Sequence, residues 1–250
     1  MGTVGTWGDF ANFRDVATAS ALLREGVVWR ADAPMNSDPP AGLTAWPPSV
    51  VLDLRDPNEL SGGHPLQHLT RVESIPVLAD ASPAQMQGMA DLADLYRLML
   101  QGNGAKGIVR VIEAVAAANG PVLVHCAAGK DRTGVSVALM LTLVGIERVA
   151  VICDYVATAA NMPGVLARMI EMFAGLASEA VPVYDAAELP ASALEAPARA
   201  IETVLDIWEA TPGGAAGWFV SAGGDPDTVS RLRGRLLLAS GRSVGGTAPF

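Results

Sequence analysis

A segment in the centre of the chain, residues 125–134, reads HCAAGKDRTG and carries the residue types best suited to chemistry. A cysteine attacks as its thiolate, and a helix N-terminus with a fixed cation stabilises that anion. Cys126 precedes a predicted helix, and Arg132 offers a planar fork for two phosphate oxygens. Backbone N–H groups can curl around the same phosphate, with Gly129 permitting the turn. The pattern predicts a nucleophilic cysteine in a phosphate-binding loop.

The loop lies between a predicted strand over 122–124 and a predicted helix over 133–144. A buried, unreactive Cys126 is the alternative, but it explains neither this setting nor the flanking glycines. Further strands are predicted at 27–30, 50–54 and 71–77, and further helices at 83–100, 108–118, 147–158, 165–176, 194–210 and 226–238, with a glycine-bearing break over 102–107. This order predicts an α/β fold whose central, largely parallel sheet is flanked by helices and carries the loop at its C-terminal edge.

We expect residues 1–250 to form a single domain, since this length is near the upper limit for one hydrophobic core. Residues 1–160 make its catalytic core around loop 125–134, and residues 211–240 contribute a C-terminal helix that packs on the core. The helices within 161–210 are either a mobile lid over the loop or a plain peripheral pair.

The composition argues against several classes of protein. Half of the 250 residues are hydrophobic and the net charge is −9, which indicates a globular protein and disfavours nucleic acid or an anionic membrane as the main partner. Glu147 and Arg148 interrupt the apolar stretch 135–152, so no transmembrane segment is predicted. Two cysteines and a first segment without a signal-peptide pattern favour a reducing compartment, the cytoplasm, although export by another route stays open.

The loop is similar to the phosphate-binding signature of the cysteine-dependent protein tyrosine phosphatase superfamily. Its GKDRTG form resembles a bacterial tyrosine phosphatase family with lipid-phosphatase-like features. Other segments match that family in the same order: Asn12–Val16, Gly26–Arg30, Val51–Arg55 with Glu59 after it, and more loosely Cys153–Val156 and Val229–Leu238. The chain departs from the family's pattern at Ala17-Thr18 and at Ala31, which affects local turns rather than the chemistry.

The resemblance implies two-step phosphoryl transfer through a phosphocysteine, without a metal or another cofactor. Cys126 attacks phosphorus, while Arg132 and the loop from Ala127 through Ala128, Gly129 and Lys130 bind the phosphate oxygens. His125 hydrogen-bonds loop carbonyls and helps to keep the cysteine ionised. Thr133 donates its hydroxyl to the sulfur, or caps the following helix, or does both.

The resemblance makes Asp131 the first choice for the general acid that protonates the leaving group. The alternative is that Asp131 forms an ion pair that shapes the loop. Asp80, on a loop after the third predicted strand, is the second candidate acid. The resemblance also suggests that Arg14 and Arg55 pair with Asp53, Asp15 or Glu59 to brace the loop.

Lys130 bears on the substrate. A second cation in the loop resembles phosphatases that act on phosphoinositides as well as on phosphotyrosine. The expected partner is a phosphorylated protein or peptide, with phosphotyrosine as the main substrate and phosphoserine, phosphothreonine or a phosphoinositide headgroup as further candidates. A solvated lysine at the rim of the pocket is the alternative.

The remaining candidate residues are weaker. His64 and His68 have a spacing that suits metal ligands on a helix, but the glycines and the proline around them disfavour a helix, so we interpret them as loop histidines. Cys153 could form a disulfide with Cys126, but its apolar neighbours favour simple burial.

Two other functions stay as alternatives. A catalytically silent module would bind phosphorylated partners with the same loop, but the intact Cys126, Asp131 and Arg132 argue against it. A rhodanese-like sulfurtransferase has a comparable loop, but Thr133-Gly134 after the arginine fits phosphate better.

Overall fold

The computed structural model describes residues 10–35, 43, 45–59, 62–78, 91–176 and 195–239. These residues form a five-stranded sheet of order β1-β2-β5-β3-β4, with β1 (Arg14–Asp15), β2 (Val28–Ala31), β3 (Val50–Asp53), β4 (Arg71–Ser74) and β5 (Val122–His125). β1 runs antiparallel to β2, and the other neighbouring strands are parallel. The predicted α/β fold with a largely parallel sheet is confirmed, and only the two-residue β1 has no counterpart among the predicted strands.

Eight α-helices lie between and after these strands in the described part of the chain. They are α1 (Leu92–Met99), α2 (Gly102–Ala117), α3 (Asp131–Val144), α4 (Arg148–Val156), α5 (Met162–Leu176), α6 (Ala198–Ala210), α7 (Gly214–Ser221) and α8 (Asp227–Leu236). Short 3₁₀ segments cover Val16–Ala19, Pro57–Glu59 and Ala157–Asn161. α8 packs on α2 and α3, and α6 packs on α1.

The two faces of the sheet pack against different parts of the chain, because side chains alternate along a strand. Leu52 and Val124 belong to the core that the helices complete. Val51 and Leu123 point to the other face, where aromatic and aliphatic side chains from loops cover them, among them Phe10, Phe13, Trp46 and Leu66. The central strand β5 is buried throughout. The residue that follows it is therefore anchored on both faces.

A break separates α1 from α2 as predicted, but it lies at residues 100–101, and residues 102–107 are helical, so the predicted position of the break was wrong. α2 begins at Gly102 and runs without interruption to Ala117. A Cβ on Gly104 would lie 2.7 Å from the Met99 carbonyl oxygen, and one on Gly107 would lie 2.8 Å from the Pro76 carbonyl oxygen. Close packing of helix against backbone requires glycine here, and it outweighs the weak helix propensity of that residue.

Other predicted boundaries fall partly outside the described residues. The predicted helix over 83–100 is described only as α1, since residues 79–90 are not described. Of the segment 161–210, residues 177–194 are not described, and the rest holds α5 and α6.

One helical stretch of 23 residues, Arg148–Ile170, has the length and the composition to cross a membrane, with a mean hydropathy of 1.4. This is weak support for a membrane span. Asp154 within the stretch is buried and forms ion pairs with Arg14 of β1 and Arg30 of β2. The stretch is therefore tied to the sheet by charged groups.

Candidate active site

Cys126 directly follows β5 and stands in front of the N-terminus of α3, which begins at Asp131. It is buried, with 2% of its surface exposed. The five residues from Cys126 to Lys130 connect strand and helix at the carboxyl edge of the parallel strands, where open α/β sheets bind their ligands. The structure places the loop at the predicted edge of the sheet.

The loop is fixed by hydrogen bonds to its carbonyl oxygens from outside it. The donors are His125 Nδ1 to Cys126 at 3.0 Å, the Ala33 N–H to Ala127 at 2.9 Å, Asn12 Nδ2 to Ala128 at 2.9 Å, and Arg30 Nη2 to Gly129 at 2.9 Å. Among the described residues, no backbone acceptor faces the N–H groups of residues 127–129, 131 and 132. With its carbonyls held outward and these five N–H groups open to a ligand, the loop has the form of an anion-binding nest.

Gly129 is required by two features of this loop. Its φ is +67°, a left-handed conformation that favours glycine. A Cβ at this position would also lie 2.3 Å from the carbonyl oxygen of Ala31, at the end of β2. The loop can therefore lie directly on the backbone of the neighbouring strand.

Arg132, in the first turn of α3, is held by a carboxylate. Its Nη2 donates to Glu59 Oε1 at 2.8 Å and its Nη1 donates to Glu59 Oε2, while Asp56 Oδ2 lies 3.6 Å from Nη1. Burial alone would lower the pKa of Arg132, but the hydrogen bonds to Glu59 and the charges of Cys126, Glu59 and Asp56 raise it. The guanidinium is thus a permanent cation beside the cysteine sulfur.

The two arginines expected to brace the loop have different partners. Arg55 donates to Asp53 through Nε at 2.9 Å and Nη2 at 2.7 Å, as the resemblance suggests. Arg14 does not pair with Asp15, Asp53 or Glu59: its Nε donates to Asp154 at 3.1 Å, so that expectation was wrong. Antiparallel pairing sets Arg14 opposite Arg30 in the sheet, and both guanidinium groups need a shared anion.

Asp154 is the functional-site residue that sequence reasoning missed. Burial would raise the pKa of this carboxyl, but Arg30 and Arg14 lower it. Since Arg30 also donates to the carbonyl of Gly129, Asp154 supports the loop through one intermediate side chain. The loose match of Cys153–Val156 to the family was the available signal.

Thr133 has a buried hydroxyl for which the described residues offer no hydrogen-bond partner. It does not cap α3, because the N-cap is Lys130 and no side chain bonds there. An unpaired buried hydroxyl costs free energy, so the orphaned Oγ1 of Thr133 is available for the sulfur of Cys126 or for a bound phosphate.

His64, His125 and Asp53 form a cluster whose potential ligand atoms lie within 4.8 Å of one another. The Leu66 N–H donates to His64 Nδ1 at 3.1 Å, which places the His64 proton on Nε2. That proton points at His125 Nε2, 3.0 Å away, and His125 Nδ1–H points at the Cys126 carbonyl. Every ring nitrogen is used, and a metal would need a lone pair that His64 Nε2 does not have. The cluster fits a hydrogen-bond chain, not a metal.

The imidazoles of His64 and His125 are both neutral near pH 7. Burial, and then the proximity of the His125 ring with which it would compete for a proton, lower the pKa of His64 to about 4. Burial also lowers the pKa of His125, against the attraction of Asp53. His68, in contrast, is exposed.

Lys130 and Asp131 sit side by side but differ in exposure. Lys130 is buried, and its Nζ donates to the Glu195 carbonyl at 3.1 Å, so it is not a solvated rim lysine. The Asp131 side chain is 25% exposed, and its Oδ1 accepts a 2.8 Å hydrogen bond from Tyr96. Asp80 lies outside the described residues.

Cys153 is exposed, so the prediction that it is buried was wrong. It lies one turn after the exposed Val149 on the outer face of α4. The inner face of the same helix carries Asp154 and Tyr155, both buried. Helical periodicity therefore decides its exposure, not its apolar neighbours in sequence.

Comparisons with known proteins agree with this geometry. A model of the tyrosine phosphatase family matches residues 6–238. The chain is 30% identical to the triple specificity protein phosphatase PtpB of Mycobacterium tuberculosis, over 93% of this chain and 97% of that protein. It is also 30% identical to a tyrosine-protein phosphatase of Nostoc commune, over 54% of this chain and 46% of that protein. The chain belongs to the tyrosine phosphatase family.

Proposed function

We propose that Cys126 is the nucleophile of a phosphotyrosine phosphatase reaction that needs no metal. The observation that carries this assignment is the loop in front of α3. Its carbonyls from Cys126 to Gly129 are bound by donors from outside the loop, while the N–H groups of residues 127–129, 131 and 132 have no backbone acceptor among the described residues. In the first step the Cys126 thiolate forms an S–P bond, the P–O bond to the phenol breaks, and the phenolic oxygen takes a proton from Asp131. In the second step water attacks phosphorus, gives a proton to Asp131, and the thiolate leaves.

The other loop residues stabilise the negative charge that develops on the phosphate oxygens and on the sulfur, or hold the loop in shape. Arg132 and the N–H groups of residues 127–132 stabilise the equatorial phosphate oxygens, which carry the transition-state charge. Thr133 donates to the sulfur when the thiolate leaves, which its unpartnered hydroxyl supports. His125 fixes the carbonyl of Cys126, and thereby the direction of the next peptide, through its 3.0 Å contact.

The test is hydrolysis of a small aryl phosphate by the purified protein, with and without EDTA, beside Cys126→Ser. We expect EDTA-insensitive turnover that is lost in the serine variant. Wild-type protein that shows no turnover, but that phosphate or vanadate stabilises against heat, would indicate a silent binding module. Thiosulfate turnover would indicate a sulfurtransferase.

Asp131 is the proposed general acid, and its partial exposure beside the loop supports the role. Asp131→Asn should lower kcat/KM by roughly 10²–10⁴-fold for a phosphotyrosine peptide. The matched variant is Asp80→Asn. An unaffected Asp131→Asn enzyme together with an impaired Asp80→Asn enzyme would transfer the assignment to Asp80.

We further propose that phosphoinositides and phosphoserine or phosphothreonine are additional substrates. The relative named a triple specificity phosphatase and the buried cation of Lys130 support this. Lys130→Met should impair phosphoinositide turnover more than phosphotyrosine turnover. Lys106→Met, which changes the chain's other, exposed lysine, is the control. Equal losses on both substrates would contradict a role of Lys130 in choosing between them.

The proposal treats residues 1–250 as one phosphatase domain with loop 125–134 at its centre. Residues 161–210 act as a lid, which the contact between Lys130 and the Glu195 carbonyl supports. A thiolate nucleophile needs reducing conditions, which favours the cytoplasm. Limited proteolysis with and without vanadate tests the lid, because closure should protect that segment.

A further inference from the structure

Two tyrosine hydroxyls and the carboxyl group of Asp131 form a row connected by hydrogen bonds. The Tyr96 hydroxyl, on α1, donates to Asp131 Oδ1 at 2.8 Å. The Tyr155 hydroxyl, on α4, lies 2.7 Å from the Tyr96 hydroxyl, and the two rings meet edge to face at 6.1 Å. Because Tyr96 uses its one proton for the carboxylate, Tyr155 must be the donor between the two phenols.

The surroundings hold these rings in place. Tyr96 and Tyr155 are both buried, with 0% and 1% of their surface exposed. Gly134, in the first turn of α3, makes room for Tyr155, since a Cβ there would lie 3.0 Å from the Tyr155 ring. The loop sequence and the tyrosine pair therefore fit one another.

The direction of the Tyr96 hydrogen bond has a chemical consequence. Oδ1 of Asp131 accepts from Tyr96 and also lies 3.8 Å from the Lys130 ammonium. An oxygen that faces a donor and a cation is a poor place for a proton. In the acid form of Asp131 the proton therefore sits on Oδ2.

We propose that Tyr96, with Tyr155 behind it, is a positioning residue that directs the acidic proton of Asp131 to Oδ2 and fixes that oxygen for the leaving group. The inference rests on the proposed function of Asp131. A general acid contributes only when it is placed within hydrogen-bonding reach of the oxygen that it protonates. Tyr96 touches no substrate in this scheme.

The test is Tyr96→Phe, measured as kcat/KM on a series of aryl phosphates whose phenols range from strongly to weakly acidic. These values report the steps up to release of the phenol. Weakly acidic phenols need protonation and strongly acidic ones do not. We expect a loss of about tenfold for phosphotyrosine and less than twofold for a dinitrophenyl phosphate.

Tyr155→Phe should give the same pattern with a smaller loss. It removes the hydrogen bond that Tyr155 donates to Tyr96, but Tyr96 can still donate to Asp131. Tyr96→Phe added to Asp131→Asn should change nothing further, since both act on one proton. A Tyr96→Phe loss that is equal for all leaving groups would reduce Tyr96 to a structural residue and overturn the proposal.

The same series of aryl phosphates distinguishes a failure of the positioning role of Tyr96 from a failure of Asp131 as the general acid. If Asp131→Asn itself shows no dependence on the leaving group, Asp131 is not the acid and the proposed function fails at that residue. If Asp131→Asn shows the dependence and neither tyrosine variant does, only the positioning role fails. Thermal unfolding of each variant identifies those that have lost the fold.

Discussion

The carboxylate of Glu59 accepts hydrogen bonds from both terminal nitrogens of Arg132. A guanidinium has five N–H donors in one plane, so this clamp leaves others for a phosphate and fixes the plane in which they lie. The 3₁₀ segment Pro57–Glu59 thereby connects the carboxyl edge of β3 to the loop.

Removal of the clamp should impair catalysis more than folding. Glu59→Ala leaves Arg132 with the more distant Asp56, and we expect kcat/KM for a phosphotyrosine peptide to fall about tenfold. The matched control is Glu73→Ala, because Glu73 pairs with Arg71, whose side chain is 69% exposed. Steady-state kinetics of both variants is the measurement, and equal activity in the two would contradict the clamp.

Two glycines with left-handed backbone give a controlled test of the loop. Gly26 and Gly129 have φ of +73° and +67°, but a Cβ on Gly26 meets nothing within 4 Å, whereas one on Gly129 meets Ala31. Gly26→Ala should cost about 1–2 kcal/mol of stability, the conformational term alone. Gly129→Ala should cost more and abolish the stabilisation by vanadate. Thermal unfolding with and without vanadate measures both effects, and similar behaviour of the variants would show that the contact with Ala31 is unimportant.

The catalytic loop could be predicted because its chemistry is local: Cys126 and Arg132 lie six residues apart between a strand and a helix. The strands β2, β3 and β5 could be predicted for a similar reason, since buried parallel strands are rich in apolar residues. The helix through Gly104 could not, because glycine is favoured there by contacts with the Met99 and Val77 carbonyls, which exist only in the folded chain.

Side-chain partners that depend on pairing across the sheet could not be predicted from the sequence either. The resemblance suggests Asp15, Asp53 or Glu59 as the partner of Arg14. The two-residue strand β1 instead sets Arg14 beside Arg30 and both against Asp154, 140 residues from Arg14. Similarly, His64 meets His125 across 61 residues through a loop whose path has no periodic pattern. Local spacing reveals which groups react, and long-range packing decides which groups hold them.

The histidine chain predicts a pH dependence of stability. The pKa of His64 is about 4 in the folded protein and near 6.5 in an unfolded chain. Between these values the unfolded state binds a proton that the folded state does not, so the free energy of unfolding falls as pH falls from about 6.5 to 4. The lowered pKa of His125 acts in the same direction.

His64→Gln can keep both contacts of the ring without titrating, and it should flatten this part of the pH profile without removing the contribution of His125. His68→Gln, the same change at an exposed histidine outside the cluster, is the matched control. Urea unfolding at several pH values between 4 and 7 provides the comparison. A profile of His64→Gln as steep as that of the wild type would show that His64 does not titrate in this way.

The largest single loss of stability should come from Asp154. Its side chain is 3% exposed and faces Arg30, whose side chain is 0% exposed, so Asp154→Asn leaves a buried cation without its anion. Breaking such a pair costs about 3–5 kcal/mol, because the remaining charge is not solvated. Asp206→Asn is the control, since Asp206 is 67% exposed and pairs with the half-exposed Arg148, where a change of about 0–1 kcal/mol is expected.

The same variant tests how the pair reaches the loop. If Asp154 acts through Arg30, then Arg30→Met added to Asp154→Asn should recover part of the lost stability, because the fully buried charge of Arg30 is gone and only the less buried Arg14 still lacks its anion. It should not recover activity, because the Gly129 carbonyl still lacks its donor. Urea unfolding and aryl phosphate turnover of the three variants separate these effects. Full recovery of turnover in the double variant would mean that the bond from Arg30 to Gly129 has no part in shaping the phosphate site.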